Sequence, residues 1–348
     1  MKNRIKLLNL SLPLIGACSL PAHASVTLYG LLDTYVGYTN ADGKGAATAM
    51  QSGGLAASRI GLRGDEDLGG GLHATFNLEN GIQTNSGAAA DASRAFNRNA
   101  WVGLANQYGE IRFGRQNQIQ LYMLGKMDAF AGGTYGSFLN NAGTYTFRFD
   151  NMITYWSPSI YGFKLSAGVS LGGQTSPHDG LNAYLVSLEY SRGPLYLGAN
   201  HVEQNSTDGR NLTKATFAGG SYQFGKLTGY LGYYRGNVLG SNTATNVAGK
   251  YHSVYSASAA YNFTPALKIS AGVGWAQDSS GAHDNAGEAS LGAFYSLSKR
   301  TMLYGTVERL INKHGATYAL LANGPITSNS PAAGGGVTGA QIGIVHSF

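Results

Sequence analysis

Two histidine–aspartate dipeptides, His178–Asp179 and His283–Asp284, carry the residue types of a general acid–base pair. Both fall in polar stretches, and no Ser or Asp nucleophile setting converges on either, so catalysis has no machinery to work with. The Gly-rich "DLGGGL" at residues 67–72 precedes no helix, and reads as a turn and not as a phosphate loop. The expectation is no catalytic residue, no metal and no cofactor. What remains is charge in unusual places. Arg59 and Arg63 in "SRIGLRG" alternate with Ile60 and Leu62, and Arg112 lies between Ile111 and Phe113. Arg148 and Asp150 take the parity opposite to Ile153 and Tyr155, and Glu79 shares a face with His73, Thr75 and Asn77. In "NRNAWVGL", by contrast, Val102 and Leu104 put Arg98 on the apolar parity, where a charge in mid-bilayer would cost several kcal/mol unless a bulge turned it or it sat above the hydrocarbon.

The elements that carry these residues have a period of two. In "LKISAGVGW" Leu267, Ile269, Ala271, Val273 and Trp275 share one face; in "YLVSLEY" Tyr184, Val186, Leu188 and Tyr190 do the same. About sixteen such segments follow one another, near 26–39, 58–67, 71–81, 95–107, 110–116, 151–157, 162–171, 181–191, 194–203, 214–224, 227–236, 250–263, 266–277, 286–297, 300–309 and 338–348. An even number of roughly ten-residue alternating segments predicts an all-β fold, a 16-stranded antiparallel transmembrane β-barrel. The composition agrees: 12% charged residues with 51 Gly and 22 Tyr suits neither a disordered chain nor a large helical enzyme. Past Ser25 no window approaches 18 consecutive apolar residues, so a transmembrane helix is excluded.

Residues 1–24 read as a cleaved export signal, with "MKNRIK" as the basic start and "AHA" as the cleavage site, leaving 25–348 as the barrel. "IGAC" also resembles a lipoprotein box that would acylate Cys18; cleavage after Ala24 leaves no orphan stretch before the first strand. Lys2, Arg4 and Lys6 lie in that leader. Without them the formal charge of +6 drops to +3, too modest for nucleic acid.

Connections alternate short and long. Turns such as 191–194 and 263–266 are tight, whereas 40–57, 82–94, 237–249 and 310–337 are long and polar. Residues 117–150 break the pattern, carrying Leu121, Tyr122, Met123, Phe130, Tyr135 and Phe138, too many bulky apolar groups for a solvated loop. The inside of the barrel is the surface available to them. Closure of the cylinder requires the final "GIVHSF" to pair with the opening "VTLYG", since a spanning sheet cannot leave an edge in lipid.

The chain resembles the Gram-negative general porins of the β-proteobacterial and neisserial type. The resemblance rests on "SVTLYGLLD", "SRIGLRGDEDLGGGL", "NRNAWVGL", "YGEIRFGRQ", "DNMITYWSPSIYGF", "LSKRTMLYG" and "GIVHSF" in that order. It implies a homotrimer in the outer membrane, surrounded by lipid and lipopolysaccharide, with the third extracellular loop folded inward and Phe348 read by the barrel assembly machinery. Passive passage of small ions and hydrophilic solutes follows. Similar porins are often anion-selective, which by motif would place Arg59, Arg98 and Arg148 at the constriction, joined by Arg63 and Arg112 on the inward parity. Glu79, and Asp128 beside Lys126 on the inserted loop, stand as their expected acidic or loop partners, so that arginines on one wall would face carboxylates on the loop. A barrel acting as an adhesin or receptor through its long loops is the alternative reading.

Overall fold

The computed structural model describes residues 24–143, 148–173, 182–206, 212–237, 251–322 and 329–348. Residues 1–23, Cys18 among them, and the His178–Asp179 dipeptide lie outside these residues. The strands are β1 (Ala24–Ala41), β2 (Gly45–Ser52), β3 (Arg59–Gly69), β4 (Leu72–Gly81), β5 (Asn99–Asn106) and β6 (Gly109–Asn117). After two short helices, α1 (Ile119–Leu124) and α2 (Phe138–Ala142), come β7 (Arg148–Trp156), β8 (Phe163–Ser170), β9 (Ala183–Arg192), β10 (Leu195–Asn205), β11 (Leu212–Phe224) and β12 (Leu227–Gly236). The chain finishes with β13 (His252–Asn262), β14 (Leu267–Asp278), β15 (Ala286–Ser296), β16 (Thr301–Asn312) and β17 (Gly336–Ser347).

From β3 to β17 each strand pairs antiparallel with its neighbour in sequence, β3 pairs with β1, and β17 returns to β1 with Leu31 opposite Ser347 and Ala41 opposite Val337. The ring of sixteen is closed. The seventeenth strand, β2, corrects the expectation of one polar loop over 40–57. It folds back on the upper half of β1 (Thr34–Ala41 against Ser52–Gly45), while β3 takes the lower half (Ala24–Leu31 against Glu66–Arg59). Residues 53–58 bridge the two and leave the ladder.

Alternation sets the two faces of the wall. Val26, Leu62, Val102, Val273, Leu231 and Ile342 point outward and are exposed, an apolar band that a water-soluble surface would not carry and that hydrocarbon accepts. Gln341, Thr306, Ser270, Ser187 and Asn200 point inward and are buried. The tight turns and both ends of the described chain gather at one rim, and the long connections at the other.

The segment after β6 occupies the interior. Its bulky residues seat on inner-wall glycines, where a Cβ would collide with them: Phe130 against Gly272 and Gly292, Phe138 on Gly274, Leu139 on Gly232, and Met123 and Met127 beside Gly198. Polar contacts fix it in register. Ser258 Oγ accepts from Ala129 N at 3.0 Å, Gln341 Oε1 accepts from Tyr135 N at 2.7 Å, and Asn141 Nδ2 donates to Glu288 Oε2 at 2.7 Å. Each fully buried apolar side chain of this kind stabilises by about 1.5–3 kcal/mol, which is why so apolar a segment folds against the wall.

Candidate functional site: an arginine-rich cavity at the inserted segment

Three arginines meet at the long-loop rim because three strands begin or are approached there. Arg59 opens β3, Arg148 opens β7, and Arg98 immediately precedes β5. They line one cavity of roughly 420 Å³ with Leu55, Ala56 and Ala57 of the bridging segment and Leu121, Leu124 and Ala131 of the inserted one. Glu79, on β4 between them, is the carboxylate of the cluster. Its Oε1 lies 2.6 Å from Arg98 Nε and its Oε2 3.8 Å from Arg59 Nε. Tyr29 Oη donates to Oε2 at 2.8 Å, and Asn99 Nδ2 to Oε1 at 3.2 Å. Arg148 is held from a different side, its Nε donating to Asn117 Oδ1 at 2.8 Å. Three guanidinium groups against one carboxylate leave an excess of two positive charges on this wall.

The expected outward parity of Arg98 does not apply. The β4–β5 ladder ends at the Glu79–Asn99 pair, so Arg98 is off the strand and free to turn inward, and it is buried against Glu79. Arg59 and Glu79 take the expected inward face. Arg148 lines the cavity, but Asp150 does not accompany it. A bulge between Gly114 and Gln116 and a left-handed Asn151 (φ 51°) interrupt that parity, and Asp150 is held by Arg94 and Arg115. Arg63 and Arg112 are inward but lie farther toward the short-turn rim. Arg63 sits over the Tyr29 ring at 5.6 Å. Arg112 is stacked between Trp101 and Trp156, at 4.4 and 4.9 Å, and paired with Glu110 at 2.6 Å.

The inserted segment supplies no acid to face the arginines. Asp128 is buried and turned toward its own backbone and β13, accepting from Phe130 N at 3.2 Å, Gly132 N at 3.1 Å and Ser258 Oγ at 3.4 Å. Burial outweighs these donors and raises its carboxyl above the ordinary value. Lys126 does not pair with Asp128; it reaches Glu189 Oε2 at 2.6 Å and lies over Tyr196 at 4.8 Å. A field between wall arginines and loop carboxylates is thereby replaced by a basic wall facing apolar loop residues.

Asp33 is a positioning residue that the sequence analysis did not single out. Buried in β1, its Oδ2 accepts from Leu55 N at 2.7 Å and Ala56 N at 2.8 Å, and its Oδ1 from Tyr304 Oη at 2.6 Å. It therefore sets the segment that forms one side of the arginine cavity. A lone acid at mid-strand on the polar parity was its sequence signal. Also at the long-loop rim, the His283–Asp284 dipeptide meets no catalytic grouping among the described residues: Asp284 Oδ1 accepts from Gly315 N at 2.7 Å, and the His283 carbonyl accepts from His314 Nδ1 at 2.9 Å, joining two loops.

The Gram-negative porin family matches the chain over residues 11–315. Outer membrane porin protein 32 of Delftia acidovorans is 32% identical, covering 94% of this chain and 95% of its own length. The major outer membrane protein P.IB of Neisseria gonorrhoeae is 28% identical over 82% of this chain and 88% of its own. Among solved structures, an anion-selective porin from Comamonas acidovorans superposes with a TM-score of 0.80 at 29% identity, covering 93% of this chain and all of its own.

Proposed function

This chain belongs to the Gram-negative porin family, and from that premise we propose an outer-membrane channel for small hydrophilic solutes that favours anions. The observation that carries the preference is the arginine excess. Arg59, Arg98 and Arg148 share a cavity with the inserted segment, and among the described residues Glu79 is their single carboxylate. Rows of like charge lining a confined aqueous path set ion preference, while its width sets the size limit. The protein carries solutes down their gradients and breaks no bond. Arg63 and Arg112 extend the basic lining toward the short-turn rim, and Lys126 and Asp128 hold the inserted segment in place.

The same reading makes residues 1–24 the export signal, turns the tight-turn rim toward the periplasm and gives Phe348 to the assembly machinery. It makes the assembly a homotrimer in contact with lipopolysaccharide. An outward groove of β1 and β14–β17, lined by Val36, Ile269, Leu291, Gly305, Val307 and Ile342, supports a trimer contact near the closing strands.

Single-channel recording in a planar bilayer under a salt gradient tests the proposal. Conduction in steps of three with a reversal potential of anion sign is expected. Replacing Arg59, Arg98 and Arg148 by Gln should move that potential toward the cation side. Conduction with cation preference in the native chain would overturn the arginine assignment, and a correctly folded barrel that stays silent would shift the reading to an adhesin.

A further inference from the structure

The outer wall carries a second apolar depression, of roughly 940 Å³, across β8–β13. Its floor is made of small side chains. Ala199 stands opposite Ala218, and Gly220 lies between Leu197 on one neighbouring strand and Leu231 on the other. Both leucines are exposed and rise as its banks. Toward the short-turn rim it is bounded by two aromatic pairs, Phe163–Tyr190 with ring centroids 4.7 Å apart and Tyr222–Phe224 at 4.3 Å. Aromatic girdles of this kind mark the level where hydrocarbon gives way to headgroups.

At that level lies a cation on the outward face. Arg192, itself exposed, continues the outward row of exposed Val186 and Leu188 and half-buried Tyr190 along β9 and is the cross-strand partner of Leu195, which lines the depression. Lys226 stands exposed in the adjacent 225–226 turn. Apolar depth, an aromatic collar and a basic rim, in that order toward the membrane surface, match a molecule with an acyl chain and an anionic head. A second copy of this chain fits less well, because a symmetric contact would bring Arg192 and Lys226 toward like charges. The depression is also built mainly on β10 and β11, across the ring of sixteen from β1, and so faces away from a trimer contact at the closing strands.

We propose that this depression seats an anionic phospholipid of the leaflet at the short-turn rim, its acyl chain over Ala218 and Gly220 and its phosphate against Arg192. The proposal rests on the outer-membrane barrel reading above. One glycine makes it testable without breaking the wall: a Cβ on Gly229, which lines the depression, would meet nothing within 4 Å. The mature barrel, refolded in detergent with dioleoylphosphatidylglycerol or dioleoylphosphatidylethanolamine, is examined by native mass spectrometry and, in parallel, by bilayer recording. The native chain should retain the phosphatidylglycerol in preference. Gly229→Leu should reduce retention at least fivefold, Arg192→Gln should abolish the preference between the two lipids, and Val102→Ala, on the exposed outward face of β5 and outside both grooves, should do neither. Conductance should stay unchanged in all three variants, so a loss of channel activity in the native chain would condemn the porin reading separately. Equal retention by native chain and Gly229→Leu would overturn the proposal, as would a Gly229→Leu barrel that no longer forms trimers.

Discussion

Phe348 and Gly30 exchange hydrogen bonds: each backbone amide donates to the other's carbonyl at 3.1 Å. The final aromatic ring lies over the glycine, where any Cβ would fall inside van der Waals contact with it. The last residue of the chain thus joins the first strand through backbone and ring together, at the rim where the cylinder begins and ends. In lipid an unpaired edge is costly for every orphaned amide, so this contact seals the sheet as well as placing an aromatic group at the interface.

Gly30→Val and Phe348→Ala should each lower the stability of the refolded barrel by about 1–2 kcal/mol, since the ring is about half buried. The two losses should not add, because both remove the same ring-on-glycine contact. Urea titrations of the two single variants and the double variant measure this. Strict additivity would show that Phe348 stabilises the barrel through other neighbours.

Glu79→Gln should strengthen anion preference and weaken the fold at once. It deletes the carboxylate of the arginine cluster and leaves Arg98, 5% exposed, without its ionic partner. Stripping one member from a buried pair costs about 3–5 kcal/mol, less where lumen water reaches the charge, so a loss of about 2–3 kcal/mol is expected. The reversal potential under a salt gradient should move farther to the anion side. An unmoved potential would mean that this cavity lies off the conduction path.

The wall was legible in the sequence because a period of two leaves little freedom: fifteen of the sixteen expected segments fall within about three residues of observed strands, and the count and closure follow. The exception, 95–107, starts four residues early, because the chain at Asn97–Arg98 has left the ladder that alternation describes. That same departure turned Arg98 inward against its apparent parity. β2 was missed since "GAATAMQS" lacks a clean apolar face; its strand character comes from pairing to the overhanging half of β1. Asp128 was misread for a different reason. A carboxylate in an inserted loop looks like a channel charge, and nothing in its neighbours' identities announces that Phe130 N, Gly132 N and Ser258 Oγ will claim it.

Gly274→Val should dislodge α2 from the wall. Phe138 occupies the space a side chain at 274 would need, and overpacking of this kind costs roughly 1–3 kcal/mol. The inserted segment also hangs on Asn141, which binds Glu288 and accepts from Leu321 N at 2.8 Å, so the displacement should spread to the last long connection. The expected record is noisier current and an altered single-channel conductance. A quiet channel of native conductance would show that the seat of Phe138 does not govern the passage.

Asp128 should give the barrel a pH dependence of definite sign. Its folded pKa is raised by burial above the ordinary value near 3.9 for an aspartate, so the fold favours the protonated form. Its stabilising contribution is complete below the ordinary value and is lost as pH rises through the raised one. The difference between native chain and Asp128→Asn removes the background of all other titrating groups. In urea midpoints taken from pH 4 upward, the native chain should lose ground relative to the variant through that window and run parallel to it above. A native chain that gains on the variant as pH rises would mean that its amide and hydroxyl donors hold the carboxylate charged, and that burial is the weaker of the two effects.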